Sequence, residues 1–200
     1  DIVKGGLRYD LIKAEATRRD ETAGTMMPFP TMSSADIWQL AGSAADAGKQ
    51  RTEHNVGGFA SWTHRLNDQY TVESTLSRSV RTADATERYM ARFTKSGDWI
   101  GNPELEPEKH HQLEVSLQGN LESVSWSATG WYNRVNDYIL RQTVNAGKPR
   151  DIYRNVEAEL YGAELEAAYP LNANWQLGSS LAWTVGNNLD DDTPLSRIAP

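Results

Sequence analysis

Few residues in this sequence have types that could ligate or catalyse. The histidines are His54, His64, His110 and His111. Neighbours on a strand point to opposite faces, so His110 and His111 do not readily share a metal; their plainer role is as polar residues at a strand mouth. Met26, Met27 and Met32 cluster within residues 17–52. Thioether sulfur is a soft ligand suited to Cu(I), and the competing reading is hydrophobic packing of Met-Met-Pro-Phe-Pro, because methionine readily fills gaps. Asp190, Asp191 and Asp192 offer oxygen ligands of the kind Ca²⁺ takes, or else form a solvated loop. Glu114, Glu164 and Glu166 lie on polar faces, and no motif marks them as a catalytic pair. The chain has no cysteine, which removes disulfides, thiolate metal sites and a catalytic thiol. No Ser-His-Asp motif, phosphate-cradling glycine loop or zinc-helix pattern appears, so an enzyme reading has little support.

What must position these residues is a set of strands. Period-two alternation dominates, the pattern of a strand with one apolar and one polar face. Leu113, Val115 and Leu117 alternate with Gln112, Glu114, Ser116 and Gln118. Val124, Trp126 and Ala128 alternate with Ser125, Ser127 and Thr129. Tyr161, Ala163, Leu165, Ala167 and Tyr169 oppose Gly162, Glu164 and Glu166, and after a turn at residues 170–174 Trp175, Leu177, Leu181, Trp183 and Val185 oppose Gln176, Gly178, Ser180 and Thr184. Earlier, Leu7, Tyr9 and Leu11 alternate with Arg8 and Asp10, and a hairpin turns at Asn67-Asp68. The segments 123–139 and 157–169 exceed the ~5–6 residues usual for globular strands and suit the ~9–11 residues a tilted membrane strand needs. Connections at 67–68, 120–123 and 170–174 are short. Those at 17–52, 83–107, 143–150 and 186–193 are longer, and Ile37-Trp38-Gln39-Leu40 in the first of them has the pattern of a helical turn. Short turns on one rim and long loops on the other are the mark of an outer-membrane barrel.

Composition agrees. Of the 200 residues 38% are hydrophobic, with mean hydropathy −0.63. No apolar run approaches the ~18 residues of a spanning helix, whereas a barrel with a polar lumen keeps its mean hydropathy low. Seven Trp and eight Tyr stand against three Phe; Trp and Tyr favour the membrane–water interface, although core and hairpin positions would also use them. The net charge of −7 comes without a basic cluster, which argues against nucleic acid as a partner.

The stretch Ile100-Gly101-Asn102-Pro103-Glu104-Leu105-Glu106-Pro107-Glu108 resembles the Asn-Pro-x-Leu-x-Pro-Glu signature of TonB-dependent receptors, with its elements at Asn102, Pro103, Leu105, Pro107 and Glu108. The preceding residues 78–88 are similar to that family's Arg-x-Pro-x-x-x-Glu stretch, with Ala83 in place of proline. "NVEAELYGAELE" resembles its N-x-x-x-A-x-x-x-G-x-E strand, placing Asn155, Gly162 and Glu164. Three motifs in order span residues 78–166, and residues 133–142, 153–166 and 187–200 are most similar to the copper-receptor branch. The resemblance implies an all-β chain: an antiparallel transmembrane β-barrel fragment of about eight strands, roughly a third of a ~22-stranded barrel. Residues 1–200 would all lie in that barrel. Both ends have the look of cuts, so a plug domain, a TonB-contacting region and further strands are expected elsewhere. It implies energy-coupled uptake of a scarce ligand across the outer membrane of a Gram-negative bacterium, with copper or a metal chelate as cargo rather than cofactor, and lipid, plug and TonB as partners. A small complete barrel with a structural or adhesive role and a soluble β-sandwich binding module are the alternatives.

From the residues themselves, Pro103 and Pro107 remove amide donors and should end strand pairing at the rim. Glu108 beside Lys109 suggests a rim ion pair, and Gly162 should leave room for a neighbouring aromatic ring over the backbone.

Overall fold

Alternation at period two makes each segment a strand with two unlike faces, and pairing in register joins like faces across neighbours. The computed structural model describes residues 1–21, 32–121, 124–145, 147–195 and 198. Its strands are β1 (Ile2–Ala14), β2 (Arg51–Arg65), β3 (Tyr70–Arg81), the short β4 (Ala91–Phe93) and β5 (Asp98–Ile100), β6 (Glu108–Leu121), β7 (Val124–Asn145), β8 (Pro149–Asn172), β9 (Trp175–Asn188) and the short β10 (Thr193–Pro194). They form one sheet, in which the long strands run antiparallel in the order β1-β2-β3-β6-β7-β8-β9. The sheet is open at β1 and β9 apart from the small β10. Two helices lie in the long connections, α1 (Ser34–Leu40) and α2 (Ala85–Tyr89), each opened by a capping box, Ser33 with Asp36 and Asp84 with Glu87. Thus 37–40 does form a helical turn.

The register places the apolar rows on one face. Leu76 pairs with Leu113, Leu113 with Tyr132, and Tyr132 with Tyr161. Ala128 pairs with Leu165 and Leu165 with Leu181. This face is uncovered: Leu7, Leu76, Leu165, Leu177 and Leu181 are all exposed. Among the described residues no second sheet packs against it, unlike the arrangement of a β-sandwich. Aromatics bound the apolar band. Tyr132, Tyr161 and Trp183 lie toward the long-loop rim; Tyr70, Trp126, Tyr169 and Trp175 lie toward the short-turn rim. Tyr161 and Tyr169 are eight residues apart on β8, about 26 Å along the strand and about 20 Å along the normal at a ~40° tilt, close to the ~25 Å band of such barrels. The opposite face carries Thr71, Glu73, Gln112, Glu114, Ser116, Gln118, Glu164 and Glu166.

Three expectations about connections change. Residues 143–150 are not a long loop: Val144 pairs with Arg150 and Asn145 with Pro149, so the ladder itself extends past the apolar band and turns at Gly147, whose φ is +82°. Likewise β9 runs through Asn188, and Thr193 pairs back onto it, leaving a tight turn where a longer loop was expected. The chain reversal after β8 uses only residues 173–174, because β8 continues to Asn172 through an irregularity after Pro170. At 120–123, Leu121 pairs with Val124, and residues 122 and 123 lie outside the described residues. Among the described residues the sheet therefore has seven long strands, in keeping with the roughly eight expected, plus three of two or three residues.

Candidate functional site

At the long-loop rim the sequence motifs come together on β7 and β8. Between Val135 and Tyr138 the β7–β8 ladder shifts register, with Asp137 at φ +59°. A bulge of this kind reverses which side chains face which way and leaves backbone groups to be satisfied. Glu108 satisfies one: its Oε1 accepts the Ile139 amide at 2.8 Å. The same carboxylate takes a two-pronged contact from Arg81, at 2.7 and 2.8 Å, and a contact from His110 Nε2 at 3.1 Å. Arg81 also holds Glu87 at 3.0 Å. Asn155 completes the joint: its Oδ1 accepts the Glu106 amide at 2.9 Å, and its Nδ2 donates to the carbonyls of Glu106 and Asp137 at 3.0 and 2.7 Å.

The remainder of the 102–108 motif serves the same docking. Asn102 donates to the Tyr153 carbonyl at 3.3 Å and accepts the Glu104 amide at 2.9 Å. Leu105 is fully buried with Ala83, Ile139 and Tyr153. Pro103 and Pro107 supply no amide, and β6 starts at Glu108, immediately after the second proline. Glu108 does not pair with Lys109: adjacent strand residues face opposite ways, and Lys109 binds Asp137 at 2.6 Å instead. Gly162 and Glu164 sit farther down β8 and do not join this cluster. At Gly162 a Cβ would lie 2.7 Å from the ring of Trp131, its cross-strand neighbour. The aromatic ring expected over this glycine is thus that of Trp131. Glu164 projects from the polar face.

A second layer clamps the connection between β3 and β6 to β2, and no sequence motif announces it. Arg88 of α2, 1% exposed, pairs with Glu53 of β2, 3% exposed. Glu53 also receives Thr82 at 3.1 Å and Arg51 at 3.1 Å, and Arg51 reaches Glu106 at 2.7 Å. Above this layer Ile37 and Trp38 of α1 pack with Phe93 and Ile100, and Trp38 Nε1 donates to the Met90 carbonyl at 3.1 Å. In α1 the Ser33 amide and hydroxyl both donate to Asp36, at 2.9 and 2.8 Å, and these contacts hold its carboxyl below the usual range.

The candidate metal ligands are not assembled into a centre. Met32 is half-buried against the Ile37–Trp38 cluster, and Met26 and Met27 lie outside the described residues. His110 points to the polar face, bonded to Glu108 and, at 3.0 Å, to Asn133, while His111 lies on the apolar face beside Leu113. Asp190 accepts the Glu157 amide at 3.2 Å, and Asp191 binds Arg154 and Asn188, so these carboxylates are engaged separately. Among the described residues no group of three His, Asp or Glu converges as a metal site, and no helix is long and apolar enough to cross a membrane, which says nothing of a barrel.

Comparison with known proteins is consistent with this geometry. A family model described as TonB dependent receptor-like, beta-barrel, matches residues 2–200. The vitamin B12 transporter BtuB of Photobacterium profundum is 30% identical over 174 residues, covering 82% of this chain and 27% of the relative. Among solved structures, the copper transporter OprC superposes with a TM-score of 0.72 at 29% identity, covering 96% of this chain and 27% of the other. The FrpB iron transporter from Neisseria meningitidis (F3-3 variant) reaches 0.57 at 12% identity, with 96% and 25% covered, and shares the fold. This chain therefore spans about a quarter of the length of the relatives it matches.

Proposed function

The chain belongs to the TonB-dependent receptor family, within its β-barrel, and from that premise we propose that the complete protein is an outer-membrane receptor for energy-coupled uptake of a scarce ligand. The observation that carries this reading is the pair of unlike faces, continuous in register from β1 to β9: apolar rows exposed on one side, polar side chains on the other. In a bilayer every strand edge must be paired. The open edges at β1 and β9 therefore call for further strands to close the wall, and the polar face suits a plug domain, with TonB reaching that plug from the inner side. Transport, not catalysis, is the activity of the named relatives.

For cargo we propose copper or a copper chelate. The match to a copper transporter at 29% identity supports it, and so does the closeness in sequence of Met26, Met27 and Met32, whose soft thioether sulfurs suit Cu(I). The vitamin B12 and iron transporters among the relatives mark cobalamin and iron as the competing cargoes. Copper uptake by cells carrying the full-length receptor tests this. We expect TonB-dependent uptake that falls by about tenfold, a change of ~1.4 kcal/mol, when Met26, Met27 and Met32 are replaced together by leucine. Undiminished uptake in that variant would remove the methionines from the account while leaving the barrel intact. Uptake of cobalamin or iron but not copper would replace the cargo.

A further inference from the structure

The apolar face carries an unexpected row of two arginines and a histidine. Arg78 of β3 pairs with His111 of β6, which pairs with Arg134 of β7. The three therefore form one transverse rung, with neighbouring strands about 4.8 Å apart. They lie one rung beyond Leu76, Leu113 and Tyr132, at the long-loop edge of the apolar band. Below the rung runs a groove of about 530 Å³, within the ~300–1,000 Å³ range of ligand sites. Leu7, Leu76, Leu113 and Tyr132 line it, with Arg78 and His111 at its upper end. Gly58 keeps it open, because a Cβ there would lie 2.9 Å from Leu7.

Charges around the rung are unevenly satisfied. Arg134 pairs with Glu157 at 2.8 Å, Lys109 on the next rung pairs with Asp137 at 2.6 Å, and Glu159 accepts from Tyr132 at 3.1 Å. Arg78 donates to the Val56 carbonyl and has no carboxylate partner among the described residues. His111 is exposed beside it.

We propose that this groove binds a phosphorylated lipid of the outer leaflet, with an acyl chain along Leu7, Leu76 and Leu113 and a headgroup phosphate at Arg78 and His111. The proposal rests on the membrane reading of the apolar face. Charge complementarity selects the occupant: a neutral lipid would satisfy the groove but not the arginine, and a free phosphate would satisfy the arginine but not the groove. Arginine contacts phosphate with two parallel donors, and a cation at the membrane surface attracts anionic headgroups.

The test uses the full-length receptor purified from its outer membrane, with bound lipid read by native mass spectrometry. Diphosphoryl lipid A should be retained at least about tenfold better than its dephosphorylated form. The pair Arg78→Gln and His111→Gln should abolish that preference, whereas Arg8→Gln, on the opposite face, should leave it unchanged. Millimolar inorganic phosphate should not displace the lipid. Equal retention of the two lipids, a preference that survives R78Q/H111Q, or displacement by phosphate alone would each overturn the proposal. Should the double variant fail to insert, the two-lipid comparison on the unaltered receptor still decides. Ligand uptake is measured on the same cells: loss of transport with the lipid preference intact counts against the transport reading alone, and absence from the outer membrane overturns both.

Discussion

Glu53→Gln is expected to loosen the whole connection between β3 and β6. Arg88 is almost fully buried, and Glu53 is its charge partner. Removing one member of a buried pair leaves the other uncompensated and typically costs ~3–5 kcal/mol. Because Glu53 also holds Thr82 and Arg51, the loss should be felt locally. Amide hydrogen exchange of the full-length receptor should quicken across residues 82–107 and stay unchanged in the lower halves of β7 and β8. Replacing both partners with apolar residues, Glu53→Leu with Arg88→Met, should recover most of the protection, since a well-packed apolar pair often matches a buried ion pair. Unaltered exchange in Glu53→Gln would show that the pair does not hold the segment.

Leu165→Arg should be the most damaging change in the wall itself. Leu165 lies midway between the two aromatic groups, between Ala128 and Leu181 on the uncovered face. An arginine at the middle of a lipid-facing barrel surface costs ~2–4 kcal/mol. Glu164→Arg, one residue away on the polar face, should cost far less. Urea titration of the full-length receptor folded into lipid vesicles measures both. Equal costs for the two would contradict the assignment of faces.

The strands and their faces are legible because alternation is local: each apolar row from Leu7 to Val185 can be read without knowing its partner. The docking of residues 102–108 is half legible. The prolines announce where β6 begins, but that Glu108 satisfies the Ile139 amide depends on a bulge that pairing with β8 creates. The expected Glu108–Lys109 pair fails against the same period-two rule that locates the strand, and that rule alone excludes it. The Arg88–Glu53 pair joins residues 35 positions apart. Its only sequence signal is a lone arginine in a helix of five residues, which is compatible with an exposed position. The ladders at 145 and 149, and at 188 and 193, have the composition of loops because Pro, Gly and Asp crowd those stretches. Pairing with a neighbouring strand overrides that composition, as it does wherever tertiary context outweighs propensity.

The two-faced wall is tested most directly by single cysteines placed along β8 from Ala163 to Tyr169, in a full-length receptor without other cysteines; this segment brings none of its own. Each is labelled in intact outer membranes with a water-soluble or a membrane-partitioned maleimide. Positions 163, 165, 167 and 169 should react with the membrane-partitioned reagent, and positions 164, 166 and 168 with the soluble one. Uniform labelling by the soluble reagent, with no period of two, would contradict a wall between lipid and a wet interior.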